Sequence, residues 1–414
     1  MWFLKGECVR RRINIGSQNR NGVKMSKVKL GIIGIGNMGT NHAKSIMGGK
    51  CPEIQLCAVA DINPERLEWA KNEYKDEVTC FADALEMLDS GLIDACLIAV
   101  PHYDHCRFAI ECIKRGIHVM VEKPAGVYTK QVREMNAEAE KHPEVVFGMM
   151  FNQRTNCVYR KMREMILGGE IGNIKRINWI ITDWYRTQQY YDSGDWRASW
   201  SGEGGGVLFN QCPHQIDLLQ WVTGMMPKTI HSHCHFGKWH DIEVEDDVTV
   251  YLEYENGATG SFITTTGDTP GTNRLEITGD MGTLICDGKT LVFKKLEVNE
   301  REFCKTSPEG FAKPKCEVIE VETDGQNPQH AGIINNFANA ILGIEPLFVK
   351  GEDGLRGVEL MDGMLLSSWL NAPVEMPFDD ELYLDELKKR IATSRRPVEA
   401  DHVVFSKDGC GDIT

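Results

Sequence analysis

Val28-Lys29-Leu30-Gly31-Ile32-Ile33 runs directly into Gly34-Ile35-Gly36-Asn37-Met38-Gly39, and this stretch decides the fold. The first six residues are mostly apolar and β-branched, which predicts a buried strand. Thr40 to Met47 can form a helix, so the glycines lie between a strand and a helix. In that context G-x-G-x-x-G predicts a dinucleotide-binding turn, because glycines let backbone N–H groups approach a pyrophosphate and the helix N-terminus favours negative charge. We therefore expect Gly34, Ile35, Gly36, Asn37, Met38 and Gly39 to bind the cofactor.

A second strand, Ile54 to Ala60, ends in Asp61. This is about the spacing of the acid that binds the adenosine ribose in such folds. A carboxylate accepts hydrogen bonds from a ribose 2'-hydroxyl and repels a 2'-phosphate, so we predict NAD as the cofactor and not NADP. Arg66 is the one cation close enough in the sequence to offset that repulsion.

Strands and helices alternate through the rest of the first 151 residues. The pattern predicts a doubly wound parallel sheet. The predicted helices are 64–71, 84–88, 106–115 and 129–141, and the predicted strands are 79–81, 93–100, 119–121 and 145–151. We assign residues 27–151 to a Rossmann NAD-binding domain.

The strand Val119-Met120-Val121 ends abruptly in Glu122-Lys123-Pro124. In open α/β sheets the carboxyl ends of the strands face the ligand crevice. Lys123 is therefore placed where a cofactor and a substrate meet. The alternative interpretation is that Glu122 and Lys123 are only the first solvated residues of a loop.

From Asn152 onward strands dominate, and Glu255-Asn256-Gly257 is a strong hairpin turn because both central positions tolerate positive φ. We predict a C-terminal α/β domain, 152–378, with a large, mostly antiparallel open sheet that serves substrate binding and oligomerisation. Residues 1–26 read as a disordered or extraneous extension, and we leave the charged tail 379–414 unassigned. The predicted strands are 174–184, 229–236, 248–254, 258–266, 274–278, 283–286 and 291–293, and the predicted helices are 158–167, 330–342 and 355–369.

The composition favours small-molecule chemistry. A net charge of -14 argues against nucleic-acid or anionic-membrane partners, and no stretch has the length of a membrane span. The 14 cysteines are scattered without a CxxC pair, which is typical of a reducing compartment, so we expect a cytoplasmic protein without a zinc site.

Together with the glycine turn, three further motifs resemble the Gfo/Idh/MocA oxidoreductase family over about residues 28 to 378. They are Pro101 with His105, Glu122-Lys123-Pro124, and Gly204-Gly205-Gly206 leading to His214 and Asp217. The resemblance implies that Lys123 lies beside the nicotinamide and bonds the reacting hydroxyl, with His214 as general base or acid. It also implies that Glu122, Pro101 and His105 line the cofactor crevice.

The same resemblance places Arg154, Trp196 and Arg197 in the substrate cleft. Many family dehydrogenases carry an Asp four residues before the histidine, and this chain has Asn210 there. We include Asn210 among the catalytic and substrate-binding positions. If the segment after Pro213 is helical, His214 and Asp217 lie on neighbouring turns and could be held together.

Two further histidine groups need an interpretation. His231, His233 and His235 alternate, so on a strand they share one face. Such a face can bind a transition metal, but no carboxylate or thiolate accompanies them, and we predict no metal. His240-Asp241 is a candidate for the cleft rim.

Three functions remain open from the sequence. The first is an NAD-dependent dehydrogenase that oxidises a ring hydroxyl of a sugar, sugar derivative or inositol, as a homodimer or homotetramer. The second is a glycosidase or lyase that retains NAD and oxidises a ring hydroxyl transiently. The third is a nicotinamide-sensing protein without turnover, which leaves Lys123 and His214 unexplained.

Overall fold

The computed structural model describes residues 27–194 and 196–394. The N-terminal extension predicted at 1–26 and the last part of the tail, 395–414, lie outside the described residues. The domain boundaries at 151/152 and 378/379 stay predictions.

Six parallel strands form the first sheet in the order β3-β2-β1-β4-β5-β6. This order reverses between β1 and β4, where open α/β sheets bind ligands at the carboxyl ends of their strands. The predicted doubly wound sheet is confirmed. Its elements are β1 (Val28–Ile33), α1 (Asn37–Met47), β2 (Ile54–Ala60), α2 (Pro64–Tyr74), β3 (Thr79–Phe81), α3 (Ala84–Asp89), β4 (Ala95–Ile98), α4 (His105–Lys114), β5 (His118–Val121), α5 (Thr129–Lys141) and β6 (Phe147–Met149).

The second sheet has nine strands in the order β14-β13-β12-β11-β7-β10-β9-β8-β15. All neighbours are antiparallel except β7 and β10, so the predicted mostly antiparallel sheet is confirmed. The elements are α6 (Cys157–Leu167), β7 (Ile174–Ile181), α7 (Gln188–Tyr191), α8 (Pro213–Thr223), β8 (Thr229–Phe236), β9 (Glu245–Glu253), β10 (Thr259–Thr265), β11 (Asn273–Gly279), β12 (Gly282–Cys286), β13 (Leu291–Leu296), α9 (Glu300–Thr306), β14 (Cys316–Glu320), α10 (Gln329–Ile341), α11 (Gly354–Leu370), β15 (Val374–Glu375) and α12 (Asp380–Ile391).

One face of the nine-stranded sheet is covered and the other faces solvent. On β9 the side chains of Val248, Val250 and Leu252 are buried, whereas Thr249 and Tyr251 are exposed. Helix α11 packs along the covered side, where its serine hydroxyls accept hydrogen bonds from backbone N–H groups of β8. The alternation of buried and exposed side chains along β9 thus indicates a sheet with one buried face and one exposed face.

Part of the unassigned tail is helix α12. The Asp379 side chain caps it by accepting from the Glu381 N–H. Arg133 of α5 donates to Asp380 at 2.8 Å, and the ring of Tyr383 stacks on Trp369. The sequence pattern also missed α7, α9, β14 and β15, which are short, and α12, whose apolar residues are sparse.

Among the residues described, no helix combines the length and apolar character needed to cross a bilayer. The twelve cysteines within the described ranges are free thiols, most of them buried or half-buried.

Candidate active site

The glycine turn fits a dinucleotide. Gly34 has φ of +85°, and a Cβ on Gly39 would lie 1.9 Å from the Gly34 carbonyl oxygen, so both positions require glycine. A Cβ on Gly36 would meet only Arg66, at 3.8 Å. Gly34 and Gly39 are therefore closely packed against the protein, whereas Gly36 has open space beside it. Helix α1 begins directly after Gly36, and a pyrophosphate can approach the backbone there.

Asp61 lies at the end of β2 and is fixed by that turn. Its Oδ2 accepts from the Ile35 N–H and its Oδ1 from the Asn63 N–H, both at 2.8 Å. Arg66 donates to the Ile35 carbonyl at 3.0 Å, on the same side of the turn. The two side chains that were expected to decide between NAD and NADP therefore converge on one backbone segment.

Glu122 is a buried carboxylate at the end of β5. Its Oε1 lies 2.6 Å from Nε2 of His42 on α1. Burial disfavours its charge, but the His42 hydrogen bond, together with the nearby His330 and Lys123, lowers the pKa of Glu122 to about 2. Glu122 is therefore not a solvated loop residue, as the alternative interpretation held.

Lys123 reaches across from the first sheet to the loop before α8. Its Nζ donates to the backbone carbonyl of Asn210 at 2.8 Å. Asn210 lies one turn before His214, so this contact brings Lys123 and His214 together from distant parts of the chain.

His214 lies in the first turn of α8 and is 4% exposed. Burial lowers its pKa well below the ordinary value, and the nearby Lys123 ammonium lowers it further. Its Nδ1 is buried with no hydrogen-bond partner among the residues described. The ring is thus a neutral imidazole, and burial makes it a weaker base than an exposed histidine.

The expected contact between His214 and Asp217 is wrong. Asp217 instead makes a bidentate ion pair with Arg154, at 2.6 and 2.8 Å, and a second carboxylate, Asp353, binds the same guanidinium at 2.6 Å. Arg154 is 2% exposed. These ion pairs join the segment 152–155 to α8 and to the segment before α11. The contact of Arg154 with substrate stays a prediction.

Pro101 precedes a short 3-10 turn, His102–Asp104, that leads into α4. The two ring nitrogens of His105 lie 2.6 Å from the Pro124 carbonyl and 2.8 Å from the Val100 carbonyl. These contacts tie the His105 ring to the loop carrying Lys123 and to the end of the strand before Pro101. The contact of His105 with the cofactor stays a prediction.

Gly204, Gly205 and Gly206 are packed closely against other residues of the chain and do not border an open cleft. A Cβ would lie 2.1 Å from Val127 at the first, 2.4 Å from Phe209 at the second and 2.0 Å from the Glu245 carbonyl at the third. Close packing of the chain on itself therefore explains the motif, and not approach to a ligand.

Glu203, which the sequence analysis missed, lies just before these glycines. Its carboxylate accepts from the Asn210 amide and, at 2.8 Å, from the Ala198 N–H. Tyr190 donates to the Asn210 amide oxygen at 3.0 Å and accepts from Arg197 at 2.9 Å. The departure from the family pattern at Asn210 was the sequence feature that pointed to this region.

Trp196 and Arg197 lie at the edge of this network. The guanidinium of Arg197 lies 4.6 Å from the ring centroids of both Trp196 and Tyr190. The Trp196 ring also contacts His102, whose Nδ1 donates to the Glu203 carbonyl. The structure thus brings Trp196 and Arg197 next to Asn210, as expected of cleft residues; their contact with substrate stays a prediction.

The other histidines fall outside this cluster. His231 and His233 lie on the solvent face of β8 with ring centroids 5.2 Å apart, and His235 is exposed on the same face. Within residues 27–194 and 196–394, no group of three potential ligands is arranged to hold a metal. His240 is held by Asp246 and by the Arg186 carbonyl, beside Tyr191.

The buried histidines predict acid sensitivity. Burial lowers the pKa of His102, His105 and His214, and it lowers that of His330 to about 4. The unfolded chain binds these protons first, so the stability that these histidines contribute is full above about pH 6.5 and is lost as pH falls; His330 alone contributes about 2 kcal/mol of loss near pH 5. Burial raises the pKa of Glu245 to about 8, which acts in the opposite direction, so the histidine contribution is measured as a difference between variants. Urea unfolding at about pH 7 and about pH 5 gives the change in the free energy of unfolding for each protein. His330→Asn should lose less stability than wild type between the two pH values and His233→Asn should lose as much; an equal change in wild type and His330→Asn would contradict the expectation.

The fold and the glycine turn define an NAD-binding oxidoreductase of the Rossmann class. Residues 28–149 match the oxidoreductase family with an NAD-binding Rossmann fold, and residues 159–285 match the GFO/IDH/MocA C-terminal domain. The chain belongs to the Gfo/Idh/MocA oxidoreductase family.

Several relatives match this chain at low sequence identity. The rhizopine catabolism protein MocA of Rhizobium meliloti is 28% identical over 49% of this chain and 59% of its own length. Because this chain spans under two thirds of that relative, the likeness is partial. Myo-inositol 2-dehydrogenase of Thermotoga maritima is 23% identical over 79% of this chain and 92% of its own length.

Solved structures show the same fold. The WlbA dehydrogenase from Chromobactrium violaceum, in complex with NADH and UDP-GlcNAcA, has a TM-score of 0.73 at 24% identity, covering 86% of this chain and 98% of that one. Levoglucosan dehydrogenase with NADH and levoglucosan has a TM-score of 0.70 at 19% identity, covering 85% and 100%. These neighbours contain NADH, and residues 28–149 of this chain are an NAD-binding Rossmann domain.

Proposed function

We propose that this protein is an NAD-dependent dehydrogenase that oxidises a ring hydroxyl of a sugar, sugar derivative or cyclitol. The observation that carries the proposal is the meeting of Lys123 and a neutral, buried His214 at the carboxyl ends of the parallel strands. An alcohol oxidation needs a proton acceptor for the hydroxyl and a cation for the developing alkoxide.

The roles of the two side chains follow from their charge. His214 accepts the hydroxyl proton, since its imidazole is neutral at working pH. Lys123 donates a hydrogen bond to the substrate oxygen and stabilises negative charge on it. NAD, when bound on the glycine turn, supplies the hydride acceptor.

A hydroxyl-rich substrate is supported by buried acceptors in the same region. Oε1 of Gln211, Oε1 of Gln215 and Oδ1 of Asn152 lack hydrogen-bond partners among the described residues. Gln211 and Gln215 flank His214 in the sequence, and Asn152 follows β6. Because an amide oxygen accepts from a hydroxyl, a polyol ring could satisfy such groups. Relatives named for inositol and levoglucosan support the same class.

Oxidation of a substrate panel tests the proposal. NAD reduction is followed by absorbance with inositol isomers, free hexoses and methyl glycosides, and sustained NADH formation with at least one of them is expected. A redox-neutral glycosidase or lyase would instead cleave a glycoside with no net NADH. No reaction with any member, despite NAD binding, would count against both enzymatic functions.

We also propose that the chain assembles as a homodimer or homotetramer through the open face of the nine-stranded sheet. Ile180 of β7 and Tyr251 of β9 are exposed there, 36% and 46%, among polar residues. Light scattering is expected to give a multiple of the 46.6 kDa chain mass. Ile180→Asp should shift the mass towards one chain, whereas Leu167→Asp, at an exposed position at the end of α6, should not; a wild-type monomer would reject the proposal.

A further inference from the structure

Glu203 is the buried carboxylate nearest to the position where this chain carries Asn210. It is 1% exposed, and both of its oxygens are engaged. Oε1 accepts from the Asn210 side-chain amide, and Oε2 accepts from the Ala198 N–H at 2.8 Å. Arg197 lies 3.8 Å from Oε1.

Each of these contacts leads to a residue of the proposed site. Asn210 is the residue whose backbone carbonyl accepts from Lys123. Ala198 has φ of +58°, which is unfavourable for a side chain with a Cβ, and it directly follows Trp196 and Arg197. The Glu203 carboxylate therefore ties the Trp196–Ala198 segment to the Asn210 segment.

We propose that Glu203 is a positioning residue that supplies, from the neighbouring turn, the negative charge that an aspartate at position 210 would supply, and that it acts on Lys123 through Asn210. The inference deepens the proposed function and rests on it. Asn210 then connects Glu203 to Lys123 through hydrogen bonds. Its side-chain amide bonds Glu203 and Tyr190, and its backbone carbonyl accepts from Lys123.

The electrostatics are consistent with a carboxylate facing cations. Burial raises the pKa of Glu203, and Arg197, the Asn210 amide, the Ala198 N–H and Lys123 oppose that rise. Without those partners a buried carboxyl would hold its proton more firmly. The other titratable groups that act on Lys123 or are influenced by it are Glu122, His102, His105, Cys212, His214 and His330.

Exchanging the two side chains tests the proposal. Glu203→Gln removes the carboxylate, Asn210→Asp adds a second one beside it, and the double variant moves a single carboxylate from 203 to 210. Asn210→Asp should lower the thermal midpoint, because two buried carboxyls in contact repel each other, and the double variant should recover it.

The charge on Lys123 can be followed without a substrate. Lysines are dimethylated with 13C-formaldehyde and dimethylamine–borane, NAD is added after the reagents are removed, and Lys123→Met assigns the Lys123 resonance. Its titration midpoint should fall by about one pH unit in Glu203→Gln and return towards wild type in the double variant. Glu243→Gln, which removes a neighbouring carboxylate bonded to the Trp200 N–H, is the control and should leave the midpoint unchanged.

An unchanged Lys123 midpoint in Glu203→Gln, or a double variant no closer to wild type than the single variants, would overturn the proposal. If Glu203→Gln does not fold, the Lys123 midpoint of the double variant tests the proposal. A double variant that also fails to fold would overturn the proposal. The NMR result is independent of turnover. A shifted Lys123 resonance in a protein that oxidises no sugar or cyclitol would refute the proposed function and leave the role of Glu203 intact.

Discussion

Replacing Lys123 by Met or His214 by Ala is expected to lower kcat by roughly 10²- to 10⁴-fold, the range for losing a general base or an oxyanion donor. Each residue is assigned to the reacting hydroxyl. The effect should therefore appear in the chemical step, with similar losses in kcat and kcat/KM.

NAD affinity separates this role from a structural one. The residues that we expect to bind the cofactor, the glycine turn and Asp61, lie far along the sequence from His214. NAD titration of His214→Ala should therefore give a Kd within about threefold of wild type. His231→Ala, on the solvent face of β8, serves as the matched control and should retain turnover. Near-normal kcat in either active-site variant would show that its assigned role is wrong.

Replacing Asp61 by Ser is expected to shift cofactor preference from NAD towards NADP by roughly 10- to 100-fold. Wild-type protein should bind NAD more tightly, because the Asp61 carboxylate repels a 2'-phosphate. In the variant that repulsion is absent while Arg66 remains on the same side of the turn, bonded to Ile35.

The double variant Asp61→Ser with Arg66→Ala isolates the arginine. It should lose the gain in NADP affinity, since no cation then faces the phosphate. Direct titration with both nucleotides measures each Kd. Tighter NADP binding by the wild-type protein would contradict the assignment of Asp61, and an unchanged ratio in Asp61→Ser would show that its carboxylate does not select the cofactor.

The elements with strong local patterns were predicted closely. The strands Val28–Ile33 and Ile54–Ala60 have the predicted bounds, since a short apolar run between turn signals leaves little choice. The predicted start of α2 at residue 64 is likewise confirmed, because the Asn63 side chain caps the helix and proline suits its first position. Helices such as α7 and α9 were missed because a few residues carry too little period to recognise.

Sequence alone determined the class of the protein, because the glycine turn needs only a strand before it, a helix after it and Asp61 at the next strand end. These are short-range features of backbone geometry. Sequence also named Lys123, His214 and Asn210, by their resemblance to a family pattern.

The tertiary structure alone decided which charges meet. Asp217 is three residues from His214, yet it pairs with Arg154, 63 residues away, because the buried guanidinium binds both carboxylate oxygens. His42 meets Glu122 across 80 residues, and Glu203 meets the Asn210 amide through a turn that sequence spacing does not describe. Such pairings depend on how two sheets and their loops pack. Burial makes the loss of either partner costly, since the remaining buried charge would have none.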